Sequence, residues 1–306
     1  MWQSFQHGIQ TGIRHWRVAA LVFLIQFLIA MVFGLQVGSL WDMTIGDSLS
    51  VDKLLGGYDH TVITDFLTVN SGAFSMLMTE LKWLILFSIA LGVFLDAGQM
   101  SAIVKDEYYW PSFFEGAKAY FIPFLKIWGV MTVITIFWTL ILWLPLLINL
   151  FSALESFPSE VSLVWVVLLV LGVYLLGLLA LSQIAIVART HYISTNGADN
   201  GVRASLKEGF RWMRSRGFSS TGLYLMFVGF QIVMAILYGW IESSGGMIST
   251  MMIAGFFVIQ QAYSYFRVIM EMMVMGGISG YYLAADGDSS SSSEGEENQE
   301  EPPTEE

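Results

Sequence analysis

The chain contains no cysteine among its 306 residues. That removes disulfides, thiolate nucleophiles, cysteine-ligated zinc and iron–sulfur clusters together, and leaves the redox compartment undetermined. Charge is nearly as scarce. Charged residues make up 13% of the chain, against about 25% in soluble domains. Also missing are a nucleotide-binding glycine loop, an HExxH helix, a GxSxG turn and any carboxylate pair with a nearby base. With no nucleophile or metal set standing out, an enzyme is not the expected class. No cofactor, metal or nucleic-acid partner is implied.

What the chain does have is apolar sequence: 55% hydrophobic residues and a mean hydropathy of +0.63. Val18 to Trp41 carries no charge over 24 residues, Ile127 to Leu154 none over 28, Val161 to Ala188 none over 28, and Gly217 to Ile241 none over 25. Trp83 to Val104 carries one, Asp96. Roughly 20 apolar residues cross the hydrocarbon core, so these are five spanning helices. A sixth lies between Ser243 and Ala285, interrupted by Arg267 and Glu271. The first run is too long for a signal-peptide core and has no small-x-small site after it, so it reads as a retained anchor.

Eleven of the fourteen Lys and Arg fall in three segments that must share one side. They are Arg14 and Arg17; Lys105, Lys118 and Lys126; and Arg189, Arg203, Lys207, Arg211, Arg214 and Arg216. The positive-inside rule then puts both termini in the cytoplasm, in agreement with six spans. Acidic charge is concentrated elsewhere. Residues 286–306 hold nine carboxylates, the run Ser289 to Ser293 and no basic residue. Such a segment cannot bury enough apolar surface to fold. It reads as a disordered acidic tail, either simply solvated or docking on a basic cytoplasmic or membrane-protein partner.

One phrase recurs: Ser4-Phe5-Gln6-His7-Gly8, Ser112-Phe113-Phe114-Glu115-Gly116 and Ser205-Leu206-Lys207-Glu208-Gly209. Each copy precedes enough apolar sequence to cross a bilayer twice, so one helical unit is used three times, over about 1–105, 106–190 and 200–285. Ser112 with Glu115, and Ser205 with Glu208, fit the capping box, whereas Ser4 faces His7 in a weakened copy. Apolar residues follow at helical spacing: Phe5, Ile9, Ile13 and Trp16; Phe113, Ala117, Tyr120, Phe121 and Phe124; Leu206, Phe210 and Met213. These predict short amphipathic helices in the cytoplasmic interface, each leading into an outgoing span. Gly8, Gly116 and Gly209 either admit a close neighbour or merely mark helix boundaries.

The returning spans resemble one another as well. Gly98-Gln99-Met100-Ser101-Ala102-Ile103-Val104-Lys105 parallels Ser182-Gln183-Ile184-Ala185-Ile186-Val187-Ala188-Arg189. In that register the sixth helix covers about 260–284, with Met247 to Gln260 as an outer amphipathic or re-entrant stretch. Gly276 and Gly280 form a GxxxG pair suited to close helix contact. The fold expected is therefore all-α and membrane-integral: a domain over 1–285 of six spans in three parallel hairpins, followed by the tail.

Charges inside spans are the best clue to chemistry. Arg267 and Glu271 are four apart on one helix, so their side chains can meet. An unpaired charge at the bilayer centre costs about 2.5–3.5 kcal/mol, so pairing is expected. The pair serves a proton or ion relay, a ligand counter-charge, or only helix register with Gln231 or Gln26 as neighbours; a shifted register of the sixth helix would instead put it at the interface. Asp96 with Gln99 could line a cytoplasm-facing crevice, or Asp96 could be a snorkelling carboxylate without a role. His7, His15 and His191 read as surface residues near the cytoplasm. In the outer loop from Asp42 to Leu81, Asp59, His60 and Asp65 match no standard zinc spacing and read as capping or solvated groups. Trp2, Trp16, Trp41, Trp83, Trp110 and Trp212 fall near span boundaries, as an interfacial belt requires.

The threefold S-x-x-E-G phrase before paired spans resembles a broad group of bacterial six-helix membrane proteins. That group includes the membrane domain fused to some glycerophosphodiester phosphodiesterases. The likeness covers residues 1–285 in layout; no phosphodiesterase catalytic domain is present, and the group supplies no functional residues to carry over. Few polar residues stand inside the spans, so the expected role is non-enzymatic: a membrane component that interacts with lipids or assists assembly. The alternative is a transporter or channel using Glu271, Arg267 and Asp96.

Overall fold

The computed structural model describes residues 1–44, 64, 68, 71–107, 109–148, 160–196, 201–244 and 250–297. It is all-helical over the described residues, with seven helices: α1 (Trp2–Arg14), α2 (Trp16–Thr44), α3 (Ser71–Lys105), α4 (Trp110–Ile148), α5 (Glu160–Ser194), α6 (Gly201–Ser244) and α7 (Thr250–Glu297). All but α1 are long and apolar enough to cross a membrane, over Trp16–Ser39, Met78–Lys105, Trp110–Ile148, Val164–Ser194, Gly201–Ser243 and Met251–Asp286. The chain divides into two units, one of Met1–Ala19 with Asp96–Glu306, the other of Ala20–Leu95. Within the second unit Leu28, Val32, Leu35, Trp83, Leu86 and Phe87 are more than half exposed. Apolar surface of that extent, repeated on α4, α5 and α6, is what a lipid-facing helix presents.

The first unit holds the core. On α4, Phe113, Ala117, Phe124 and Ile127 are fully buried; on α6, Leu223 and Phe227; and on α7, Met272 and Ile278. The middle of α7 is buried all round from Met272 to Ser279, as a helix apolar on every face should be. Helix α3 ends at Lys105, followed by Asp106 in the left-handed region (φ 56°). There the Glu107 N–H bonds the Ala102 carbonyl at 3.0 Å and the Asp106 N–H the Ile103 carbonyl at 3.3 Å. That is the C-terminal cap in which a left-handed residue turns the chain back onto the last carbonyls.

The predicted interfacial helices take a different form. Only the first copy of the phrase forms a helix of its own, α1; in α4 and α6 the helix runs on without interruption into the span, through Pro123 in α4. All three helices also start before their phrase, at Trp2, Trp110 and Gly201. The serines therefore sit inside the first turns, where forward bonds to free N–H groups are no longer on offer. Ser112 donates back to the Tyr109 carbonyl at 2.8 Å and Ser205 to the Gly201 carbonyl at 3.2 Å. Glu115 is exposed, and Glu208 pairs with Arg211 one turn on at 2.6 Å. Neither box forms, and Ser4 likewise lies within α1, whose cap residue is Met1.

The faces differ too. The stripe of Phe113, Ala117, Tyr120 and Phe124 is buried against protein. In α1 and its capping residue His15 it is the small and polar face, Gly8, Thr11, Gly12 and His15, that is buried, while Ile13 and, at the start of α2, Trp16 are exposed. His15 is thus not a surface residue: its ring Nδ1–H donates to the Thr11 carbonyl at 2.9 Å. Trp212 is 6% exposed and packs edge-on to Tyr281 and Tyr282, away from any belt, whereas Trp2, Trp16, Trp83 and Trp110 are exposed.

The glycines of the phrase are sites of close approach. A Cβ on Gly8 would lie 2.6 Å from the Met273 carbonyl oxygen and 2.9 Å from Gly277 Cα; on Gly209 it would lie 2.7 Å from the Ile184 carbonyl oxygen; on Gly116 it would overlap Ser101. Glycine lets backbones meet where any side chain would hold them apart. The Gly276/Gly280 pair works the same way, with Gly276 under Thr11 and Gly280 under His7 of α1.

Helix α7 also corrects the sixth span. It is continuous from Thr250, so residues 250–260 belong to the membrane helix and form no separate re-entrant stretch. No proline interrupts this segment to break it. Helical backbone continues to Glu297, into the acidic segment expected to lack order, and residues 298–306 lie outside the described residues. So do Asp59, His60 and Asp65; among the described residues no group of three or more His, Asp or Glu could hold a metal.

Candidate functional site

Three of the four intramembrane candidates come together. Asp96 from α3, Arg267 and Glu271 from α7, Arg189 and Ser182 from α5, and Tyr224 and Gln231 from α6 line one cavity of about 450 Å³. Arg267 and Glu271 straddle the midpoint of the Met251–Asp286 span, so the cavity reaches deep into the helical bundle.

Its organising contact is an ion pair legible nowhere in the sequence. Arg189 Nη1 donates to Asp96 Oδ2 at 3.0 Å, with the two side chains 11% and 27% exposed. The guanidinium also lies over the Phe124 ring, 5.5 Å from its centroid, and its Nε is buried without an acceptor. Arginine is the cation suited to this place, because its planar group stacks on an aromatic face while forking toward a carboxylate. The sequence counts Arg189 among the cytoplasmic positive charges, since it follows an uncharged run and aligns with Lys105. In the fold it turns inward, five residues before the end of α5 at Ser194.

Arg267 and Glu271 correct a second expectation. They share a helix face, but neither has an oppositely charged group within 4.0 Å among the described residues. Both side chains are exposed to the cavity. The expected mutual pair is thus open, and its two charges face a common polar space. Gln99 belongs elsewhere: it is 2% exposed and sits in the core, off the cavity lining. Its sequence counterpart Gln183 is equally buried, donating from Nε2 to the Leu179 carbonyl and to Thr221 Oγ1, each at 3.3 Å. The amide oxygens of both glutamines lack a donor.

Two less polar cavities adjoin the charged one. Between α4 and α5 a space of about 380 Å³ is lined by Trp128, Met131, Ile136, Leu178 and Leu181, and shares Ser182, Ala185 and Arg189 with the charged cavity. Between α6 and α7 a space of about 240 Å³ is lined by Val228, Ile232, Ala235, Tyr263, Phe266 and Met270, and shares Gln231 and Arg267. Arg189, Tyr224 and Ser182 were missed in the sequence as site residues, while Gln231, named there as a neighbour of the Arg267 and Glu271 pair, lines the same cavity. A polar group inside a span faces protein or a cavity, which was the available signal for Tyr224 and Ser182. Nearer the end of α5, the Tyr282 hydroxyl lies 2.9 Å from His191 Nδ1, so His191 too has a buried partner.

Fold and site together define an all-α, multi-pass membrane chain with a charged cavity among its spanning helices. The chain matches no protein-family model, no curated protein and no solved structure.

Proposed function

We propose that this is a non-enzymatic membrane protein that binds the polar group of a membrane lipid in the cavity between α3, α5, α6 and α7. The observation that carries this reading is the joining of a four-charge cavity to two largely apolar ones through shared lining residues. Hydrophobic surface and fixed charges meeting at one mouth match an amphiphile, polar at one end and apolar at the other. A purely hydrophilic solute would leave the two side cavities without a use. Exposed apolar surface on α4, α5 and α6 puts bilayer lipid within reach.

The test is retention of lipid by the full-length protein through purification in mild detergent. Phospholipid should copurify near one molecule per chain, and Arg267→Gln should lower its affinity about tenfold, because a hydrogen bond to a charged group contributes about 1.5–3 kcal/mol. Protein that emerges free of lipid, or retention indifferent to Arg267→Gln and to Ala185→Phe at the mouth of the side cavity, defeats the reading.

A second reading, transport or conduction through Glu271, Arg267 and Asp96, draws on one observation: the unpaired, accessible carboxylate of Glu271 near mid-span. It predicts that Glu271→Gln and Asp96→Asn abolish ion flux in reconstituted vesicles while the protein stays folded. Unchanged flux ends it.

We also propose the parallel arrangement of three hairpins, with both termini on the cytoplasmic side of an inner membrane. Three contacts of one kind support it. The glycine of each phrase backs onto a returning helix: Gly116 of α4 onto α3, Gly209 of α6 onto α5, and Gly8 of α1 onto α7. Each unit then leans on the one before it, and the first on the last.

A further inference from the structure

Building on the lipid reading, we propose that the ligand is a diacyl glycerophospholipid whose headgroup is a zwitterion with a primary ammonium. Its phosphate sits at Arg267, its ammonium at Glu271, and its two acyl chains enter the two flanking cavities.

The charges in the cavity set the headgroup. Asp96 and Arg189 satisfy each other at 3.0 Å, which leaves Arg267 and Glu271 as one open cation and one open anion. The cavity as a whole is neutral, so a neutral ligand with separated charges fits it better than an anion. Four residues of helix separate the pair by about 6 Å along the axis, a spacing suited to two charged groups joined by a short two-carbon bridge. Arginine's fork matches phosphate oxygens in paired hydrogen bonds.

Acceptors around Glu271 set the amine. A primary ammonium has three N–H donors, and the two carboxylate oxygens of Glu271 and the hydroxyl oxygen of Tyr224, which line the same cavity, are able to accept. A trimethylated ammonium offers none, and would ask instead for a cage of aromatic faces. A glycerol headgroup would leave Glu271 opposite a neutral diol and add an uncompensated negative charge.

The side cavities set the tails. One lies between α4 and α5 and the other between α6 and α7, and they touch the charged cavity through different residues, Arg189 in the first and Arg267 in the second. Two apolar branches leaving one polar centre call for two chains.

The experiment reconstitutes the full-length chain in vesicles containing equal amounts of phosphatidylethanolamine, phosphatidylcholine and phosphatidylglycerol. The protein is extracted in mild detergent, and the retained lipid is identified by mass spectrometry. Phosphatidylethanolamine should exceed each of the others by about tenfold, the ratio one charge-assisted contact supplies. Glu271→Gln, a near-isosteric change, should erase the preference over phosphatidylcholine while lipid is still retained. Retention of all three lipids in equal measure, or preference for phosphatidylglycerol or phosphatidylcholine, overturns this inference and leaves the lipid reading standing. Retention of no lipid overturns both. In a second set of vesicles containing lyso-phosphatidylethanolamine beside its diacyl parent, equal retention of the two overturns the two-chain assignment. The wild-type comparison needs no variant, so a Glu271→Gln protein that fails to fold does not shield the proposal.

Discussion

Asp96→Leu is expected to destabilise the chain by about 2–4 kcal/mol. Removing one partner of a buried ion pair costs about 3–5 kcal/mol because the other is left charged and uncompensated. The lower figure applies here because Asp96 keeps 27% of its side chain exposed toward the polar cavity. Arg189 cannot escape to water easily, being 11% exposed and stacked on Phe124. The same logic predicts the reverse for the double change. Asp96→Leu with Arg189→Met removes both charges, and well-packed apolar replacements of a buried pair are neutral to stabilising. Unfolding of the wild type, Asp96→Leu, Arg189→Met and the double variant by a denaturing detergent, followed by circular dichroism, gives the cycle. The double variant should recover most of the loss. A double variant as unstable as the sum of the single ones would show that the pair is not what matters at these positions. Lipid retention adds a second readout, since the open charges Arg267 and Glu271 survive in the double variant.

Gly8→Leu should cost about 3 kcal/mol or more, at the top of the range for overpacked sites. Its Cβ would meet the Met273 carbonyl oxygen at 2.6 Å, Phe227 at 2.7 Å and Gly277 Cα at 2.9 Å. Two of these obstacles are backbone and cannot swing aside, so α1 must lift from α7. The readout is local as well as global. Hydrogen exchange of α1 amides should rise to the level of a detached helix while α4 and α5 keep their protection. Gly34→Leu is the control, because nothing lies within 4 Å of a Cβ there. In that exposed position leucine should be neutral or slightly stabilising, since it is the better helix former by roughly 0.8 kcal/mol. Equal effects at the two glycines would show that close approach is not the purpose of the recurring phrase.

The spans were legible because the physics is one-dimensional. A stretch such as Val161 to Ala188 has too few polar atoms to stay in water, whatever it packs against, and the helix over Val164–Ser194 follows. The glycines of the phrase were legible in part: recurrence marked them, but their neighbours, Met273, Ser101 and Ile184, could not be read from spacing. The serines misled. Ser-x-x-Glu has one meaning at a helix start and another one turn later, and only the actual starts at Trp110 and Gly201 decide between them. Asp96, Arg267 and Glu271 were found because a charge inside an apolar run is conspicuous. Arg189 was not, because at the end of such a run a cation looks like a topological marker.

From its residues alone, the chain was bound to be helical and to seek a membrane, because only helices satisfy the backbone of such apolar stretches without water. Which charges meet was decided by the tertiary structure. Arg189 joins Asp96 across 93 residues of sequence, and Arg267 passes over the carboxylate four residues away to face a shared cavity. Side-chain direction on packed helices depends on how neighbouring helices cross, and no pattern along a single helix encodes that.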